Sequence, residues 1–332
     1  MQGSTSLIDR RSAIAGLVSL PMVPMASASV LNSPMERGTV KHVSTDTLDI
    51  GYLEFGPVDG APVILLHGFP YDAHACGEAA TKLGAAGKRC IVPFLRGYGP
   101  TRFLRPDTFR SGQQAALGAD LKAMMDALSL QQAVLAGYDW GGRAACVVAA
   151  LWPERVTGLV TCGTAYNLQN LATATKPIEV QAERRHWYWF YLDSKRGEAA
   201  LSEDRRTLCE ALWRDFSPTW KFGPETYART ASSFDNPDFV AVVLHSYRVR
   251  IGAMPGDPAL EEIELWLARQ PKITVPTIAL AGDDDGVDPP APLEKVAPHF
   301  TNLKRYATLP GIGHNLPQEA PVAFAEAVLE LG

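Results

Sequence analysis

Apolar residues along this chain fall into two kinds of run: short blocks bounded by turn residues, and longer stretches with apolar positions at helical spacing. Residues 39–55 read as strand, residues 57–61 form a polar Gly/Pro turn, and Val63-Ile64-Leu65-Leu66 reads as a buried strand, so the two opening strand segments predict a hairpin. Strand patterns recur at 90–95, 133–136 and 156–161, separated by helical patterns at 113–128 and 142–151. This alternation predicts an α/β fold on a mostly parallel, doubly wound sheet. It lapses over residues 166–271, a stretch dense in aromatic residues and helix formers, which predicts an inserted helical cap. Strands return at 277–281 and 303–309, and residues 321–329 read as a terminal amphipathic helix. The expected organisation is a core in two parts, 39–165 and 272–332, with the cap between them.

The first 28 residues have a different character. Asp9-Arg10-Arg11-Ser12 precedes an apolar run over 13–23, and Ala26-Ser27-Ala28 has the small-x-small spacing of a cleavage site. The segment resembles a twin-arginine export signal, which implies a periplasmic or secreted protein, with a cytoplasmic location as the alternative. Prolines interrupt the apolar region, and it is too short for a convincing membrane span.

With 332 residues, 46% hydrophobic and 20% charged, the chain has material for one large α/β domain carrying an insertion, or for two ordinary domains. A net charge of −5 and the lack of a basic stripe interleaved with aromatics leave no electrostatic footprint for nucleic acid. Cys76, Cys90, Cys146, Cys162 and Cys209 are odd in number and widely spaced, with no CxxC. They read as buried free thiols, so neither a disulfide framework nor a metal site is expected, and no cofactor is implied.

Candidate chemistry begins at Gly137-Tyr138-Asp139-Trp140-Gly141-Gly142, which joins a strand pattern to a helical one. Small residues let the backbone bend sharply there, so the apex side chain projects free of the sheet beside a helix N-terminus. The apex is Asp139, not serine. A carboxylate can displace a leaving group at a saturated carbon, and the ester it forms has a carbonyl that water can attack. That chemistry suits epoxides or alkyl halides; Asp139 could equally be a helix cap. Hydrolysis of the ester would need a base, a group that orients it, and donors for the oxyanion. His314 follows the last strand in Gly311-Ile312-Gly313-His314-Asn315 and is the best placed of seven histidines. Gly282-Asp283-Asp284-Asp285-Gly286 follows the preceding strand and offers an orienting carboxylate, and His67-Gly68-Phe69-Pro70 follows the strand at 63–66.

These segments, with Arg96-Gly97-Tyr98-Gly99-Pro100-Thr101, occur in an order that resembles the epoxide-hydrolase branch of the α/β-hydrolase superfamily, a group shared with carbon–halogen dehalogenases. The resemblance implies Asp139 as nucleophile and His314 as base. It selects Asp285 as the orienting acid, with Asp284 the near alternative. Phe69 and Trp140 then supply the oxyanion-hole N–H groups. It also implies two cap tyrosines that assist ring opening, which match Tyr188 in His186-Trp187-Tyr188-Trp189-Phe190-Tyr191 and Tyr247 in His245-Ser246-Tyr247-Arg248. Tyr191 stays open as the first donor. The implied reaction converts a small, apolar epoxide and water to a vicinal diol.

Dehalogenation is the alternative, with Trp140 and a second indole from Trp187, Trp189, Trp213 or Trp220 holding halide. Against it, the Asn that many haloalkane dehalogenases carry after His-Gly is replaced by Phe69, and no Arg directly follows Asp139. A ligand-binding protein that kept the scaffold without turnover is the remaining alternative.

Overall fold

The structure, a computed structural model, describes residues 39–332. The export-like segment therefore lies outside the described residues. Among the described residues nine strands form one sheet in the order β1-β2-β4-β3-β6-β7-β8-β9, with β5 paired to β2. β1 (Thr39–Ser44), β2 (Leu48–Phe55) and β4 (Lys88–Pro93) pair antiparallel in sequence, β2 being central. From β4 onward the neighbours β3 (Ala61–Leu66), β6 (Ala133–Tyr138), β7 (Val156–Cys162), β8 (Thr277–Gly282) and β9 (Leu303–Leu309) are all parallel.

The mostly parallel sheet agrees with the alternation in the sequence; the expected hairpin does not. Residues 39–55 are two strands, broken at Thr45, and they form the hairpin between themselves. β3 lies two places away because β4 inserts between it and β2. The reason is length: a strand-like stretch of that span is long enough to fold back on itself. The two-residue β5 (Arg102–Phe103) is too short to leave a pattern in the sequence.

Burial follows position in the sheet. Every residue of β6 and β8 is buried, as central parallel strands covered on both faces require, whereas β1 at one edge is mostly exposed. The helices are α1 (Gly77–Ala85), α2 (Gln114–Ala127) and α3 (Asp139–Leu151), and, near the C-terminus, α11 (Leu293–Val296), α12 (Leu316–Glu319) and α13 (Pro321–Leu331). Between β7 and β8 run α4 (Val180–Arg185), α5 (Trp187–Asp193), α6 (Lys195–Glu203), α7 (Arg205–Phe216), α8 (Pro224–Ala231), α9 (Phe239–Arg250) and α10 (Glu261–Leu267), with no strand among them.

The strand order reverses at β3. The chain leaves β3 toward β4 on one side, then crosses back past it to β6, and the right-handed crossover rule sends α1 to one face and α2 and α3 to the other. In agreement, α1 packs on α13 and α2 on α3. Loops leaving β3 and β6 thus diverge and open a crevice at the strand C-termini, the general ligand position in such sheets. The register Leu66↔Gly137 brings the two loop starts level.

Candidate active site

Asp139 occupies this crevice. Its φ of 48° is left-handed, a strained conformation for a non-glycine residue that turns the side chain out of the sheet at the start of α3. Two glycines make room. A Cβ on Gly141 would stand 2.3 Å from the Leu66 carbonyl oxygen, and one on Gly68 would stand 2.5 Å from the Asp139 Cβ. The loop after β3 can therefore close on the carboxylate, and the Phe69 N–H donates to Asp139 Oδ1 at 2.7 Å. Trp140, next in the first turn of α3, has a backbone N–H that no carbonyl of its own helix can accept.

His314 and Asp285 arrive from the loops after β9 and β8. His314 Nδ1 is 2.8 Å from Asp285 Oδ2, and Asp285 Oδ1 accepts from the Val287 and Asp288 N–H groups at 2.8 and 2.9 Å. With its other nitrogen, His314 faces Asp139: Nε2 is 3.8 Å from Oδ2, an ion-pair distance too long for a hydrogen bond. Of the three consecutive acids, Asp285 alone meets the imidazole; Asp283 accepts from the Gly311 N–H instead. Burial disfavours charge on His314, but Asp285 and Asp139 outweigh it and raise its pKa well above the ordinary value. Burial likewise opposes ionisation of Asp139, and His314, Arg143 and Arg250 reverse the balance and hold its pKa low.

Glu319, which the sequence reading missed, holds the His314 loop in place. Its carboxylate accepts from Gly313 N–H at 2.8 Å, Asn315 N–H at 3.0 Å and the Ser217 hydroxyl at 2.6 Å. The signal was faint, since Glu319 lies five residues past His314 with nothing in the local pattern to mark it.

The inserted helices close the other side. Tyr188 of α5 and Tyr247 of α9 are buried, edge to face, with ring centroids 5.2 Å apart. Both contact the Phe69 ring, at 6.3 and 5.0 Å, and Phe69 in turn stacks on Trp140 at 5.8 Å. Burial pushes both phenols above their ordinary pKa, with Asp139 adding to the effect. Tyr191 faces elsewhere: it is half-buried, with its ring 5.6 Å from Trp187. The aromatic run on α5 divides, Tyr188 going inward while Trp187 and Phe190 stay exposed. α9 also runs farther than its apolar start suggested, continuing past Tyr247 to a buried Arg250.

A cavity of about 160 Å³ lies beside Asp139 and Tyr188, lined also by Arg143, Trp189, Arg250 and Asp288 among others. Among the described residues no group of three or more His, Cys, Asp or Glu side chains is placed to hold a metal ion, and no helix is long and apolar enough to cross a membrane. All five cysteines are buried thiols.

Comparison with known proteins gives this geometry its context. The sequence profile of the alpha/beta hydrolase fold family matches residues 61–321. A solved structure of a candidate epoxide hydrolase from Klebsiella pneumoniae superposes with a TM-score of 0.84 at 44% identity, covering 88% of this chain and 96% of that one. Epoxide hydrolase A of Mycobacterium tuberculosis is 32% identical over 324 residues, which cover 88% of this chain and 96% of its own. An epoxide hydrolase from Vigna radiata shares the fold, with a TM-score of 0.71 at 22% identity over 89% of this chain and 98% of that one. The chain belongs to the α/β-hydrolase family, in its epoxide-hydrolase-like branch.

Proposed function

We propose that this protein hydrolyses an epoxide to a vicinal diol through an ester on Asp139. The observation that carries the reading is the pair of buried phenols, Tyr188 and Tyr247, facing the Phe69 ring whose backbone N–H holds the Asp139 carboxylate. In the first step an Asp139 oxygen forms a bond to a ring carbon as the C–O bond of the oxirane breaks. The departing alkoxide takes its proton or hydrogen bond from the phenols, which burial keeps protonated. His314 then takes a proton from water, and the hydroxide adds to the ester carbonyl carbon. The Phe69 and Trp140 N–H groups hold the oxyanion, which collapses to release the diol oxygen, and His314 returns the proton. His314's proton goes to that oxygen, and the proton left on the Asp139 carboxyl replaces the one the phenols gave, so epoxide plus water gives diol with Asp139, His314 and the phenols restored.

Alkylation itself readies the base. Asp139 is one of the two carboxylates that raise the His314 pKa, and its charge vanishes when the ester forms, so the imidazole loses its proton more readily when the second step requires it. The rings of Tyr188 and Trp189, which line the cavity, suit an apolar substrate body around the oxirane. The arginine pair and small-x-small pattern before residue 29 support export as the setting for this activity.

One observation favours dehalogenation as a second reading: the indole nitrogens of Trp140 and Trp189 are buried without partners and could hold halide. Trp213 is committed elsewhere, donating to the Pro70 carbonyl at 2.7 Å. A parallel turnover screen of epoxides and haloalkanes, with diol and halide measured separately, decides between them. Diol formation without matching halide release is expected; turnover of halides alone would overturn the proposal.

A further inference from the structure

Two arginines in the site have no role in the reaction above. Arg143 lies one turn after Asp139 on α3, at i+4, and Arg250 one turn after Tyr247 on α9, at i+3, so each shares a helix face with a group the mechanism uses. Both are 7% exposed and both line the cavity beside Asp139. Arg143 Nε and Nη1 and Arg250 Nε are buried without a hydrogen-bond partner, and among the described residues neither guanidinium lies within 4.0 Å of a carboxylate oxygen. Arg250 is held in place by flanking rings, its Cζ 4.9 Å from the centroids of both Trp189 and Tyr247.

A buried guanidinium without a partner is costly, and a second one nearby adds repulsion. Burial and then Arg143 lower the Arg250 pKa to about 10. The cations also hinder attack: they favour the Asp139 carboxylate, and that attraction is lost once the carboxylate becomes a neutral ester. Other charges near the cavity have their own engagements. Asp288 is 3.5 Å from His186 Nε2, and its backbone N–H binds Asp285; His314 and Asp285 face one another. An anion on the substrate would meet the unused donors and offset the desolvation of both arginines, and a planar carboxylate matches the guanidinium fork.

Resting on the epoxide reading, we propose that Arg143 and Arg250 form a carboxylate subsite, so that the preferred substrates are small epoxides bearing a carboxylate near the oxirane. The cavity of about 160 Å³ holds a volume of roughly five waters at about 30 Å³ each, enough for a short epoxycarboxylate. A second depression of about 410 Å³ shares Gln169, Trp189 and Arg250 with the cavity and gives room for a longer substrate tail.

The test uses a 2,3-epoxycarboxylate and its carboxamide, nearly equal in shape and different in charge. Wild-type kcat/KM should favour the acid by about 10- to 100-fold, the factor expected of charge-assisted hydrogen bonds. In Arg143→Gln/Arg250→Gln this ratio should fall to about one or below. Equal or better turnover of the amide by wild type would overturn the subsite while leaving the epoxide reading intact, and so would a double variant that slows both substrates equally. Binding of phenylacetate and phenylacetamide to wild-type protein, followed by calorimetry, depends neither on turnover nor on the folding of a variant. Tighter binding of the acid by tenfold or more is expected; equal affinity would overturn the subsite. If the acid binds tighter and neither epoxide is opened, the subsite stands and the epoxide reading falls.

Discussion

The sheet and the helices inserted after β7 contribute to one site in different ways. On the sheet side the reacting line is already engaged: Asp139 accepts from Phe69, Asp285 accepts two backbone N–H groups and meets His314, and Glu319 fixes the loop beneath. On the helical side several buried polar atoms lack partners, among them Tyr247 Oη, Trp189 Nε1, His186 Nδ1 and Arg250 Nε. The loops at the sheet edge thus hold parts that must be aligned before substrate arrives, and the inserted helices, with Trp140 and Arg143 of α3, hold donors that a bound molecule can satisfy. Asp72 links the two. From the loop after β3 it accepts from Thr230 and Ser233 at 3.0 and 2.6 Å, both in the inserted segment.

The largest expected effects come from the sheet side. Asp139→Asn should cut single-turnover alkylation by about 10⁴-fold or more, since an amide is a poor nucleophile. His314→Gln should leave attack possible and slow ester hydrolysis by about 10³-fold, so a mass increase equal to the bound epoxide should accumulate on the peptide that carries Asp139. Steady turnover without that adduct would break the assignment.

On the helical side, Tyr188→Phe/Tyr247→Phe should slow epoxide alkylation by about 10²- to 10⁴-fold and leave alkylation by an alkyl bromide within a few-fold of wild type, because bromide departs without a proton. Rapid-quench measurement of both half-reactions checks this. Equal losses for epoxide and bromide would show that the phenols shape the pocket and do not serve the leaving oxygen.

Titration separates the two sides with a smaller effect. Asp139 has a depressed pKa and is ionised at neutral pH, while both phenols stay protonated above their ordinary pKa near 10. Neither Asp139 nor the phenols should therefore cause a loss of alkylation between about pH 5 and pH 10. Hydrolysis should rise with pH through the His314 pKa of the ester form. A fall in alkylation near pH 8 would contradict the shielded phenols.

The smallest effect is on the link between the regions. Asp72→Asn should lower stability by about 1–3 kcal/mol at neutral pH, read by denaturant titration. Burial opposes charge on Asp72, and His74 and Ser233 outweigh it and depress its pKa. Its contribution is present above the unfolded value near about 3.9 and is lost as pH falls through the lower folded value, so wild type and variant should converge in acid.

The same contrast governs what could be read from the sequence. The elbow at Asp139, the loop at Phe69 and the strand ends before Asp285 and His314 are local, because turn residues and apolar runs mark them directly. Sheet order was harder. The insertion of β4 between β2 and β3 depends on a long-range crossover that no local pattern records. Arg143 and Arg250 were open to view as residues one turn beyond Asp139 and Tyr247, yet charged residues on helices are usually solvated, and only their burial marks them out. Glu319 and Asp72 act through backbone and hydroxyl donors brought together by folding, so neither carries a sequence signature.

The claim on which the rest depends is that Asp139, not water, attacks the oxirane. A single turnover of wild-type enzyme, in excess over epoxide and in ¹⁸O-labelled water, tests it on the unaltered protein. Water attacks the ester at its carbonyl carbon, so the first diol should leave with an unlabelled oxygen from Asp139, and the label should appear in the Asp139 peptide. Labelled oxygen in the first-turnover diol, with none in that peptide, would mean direct attack by water and would contradict the account.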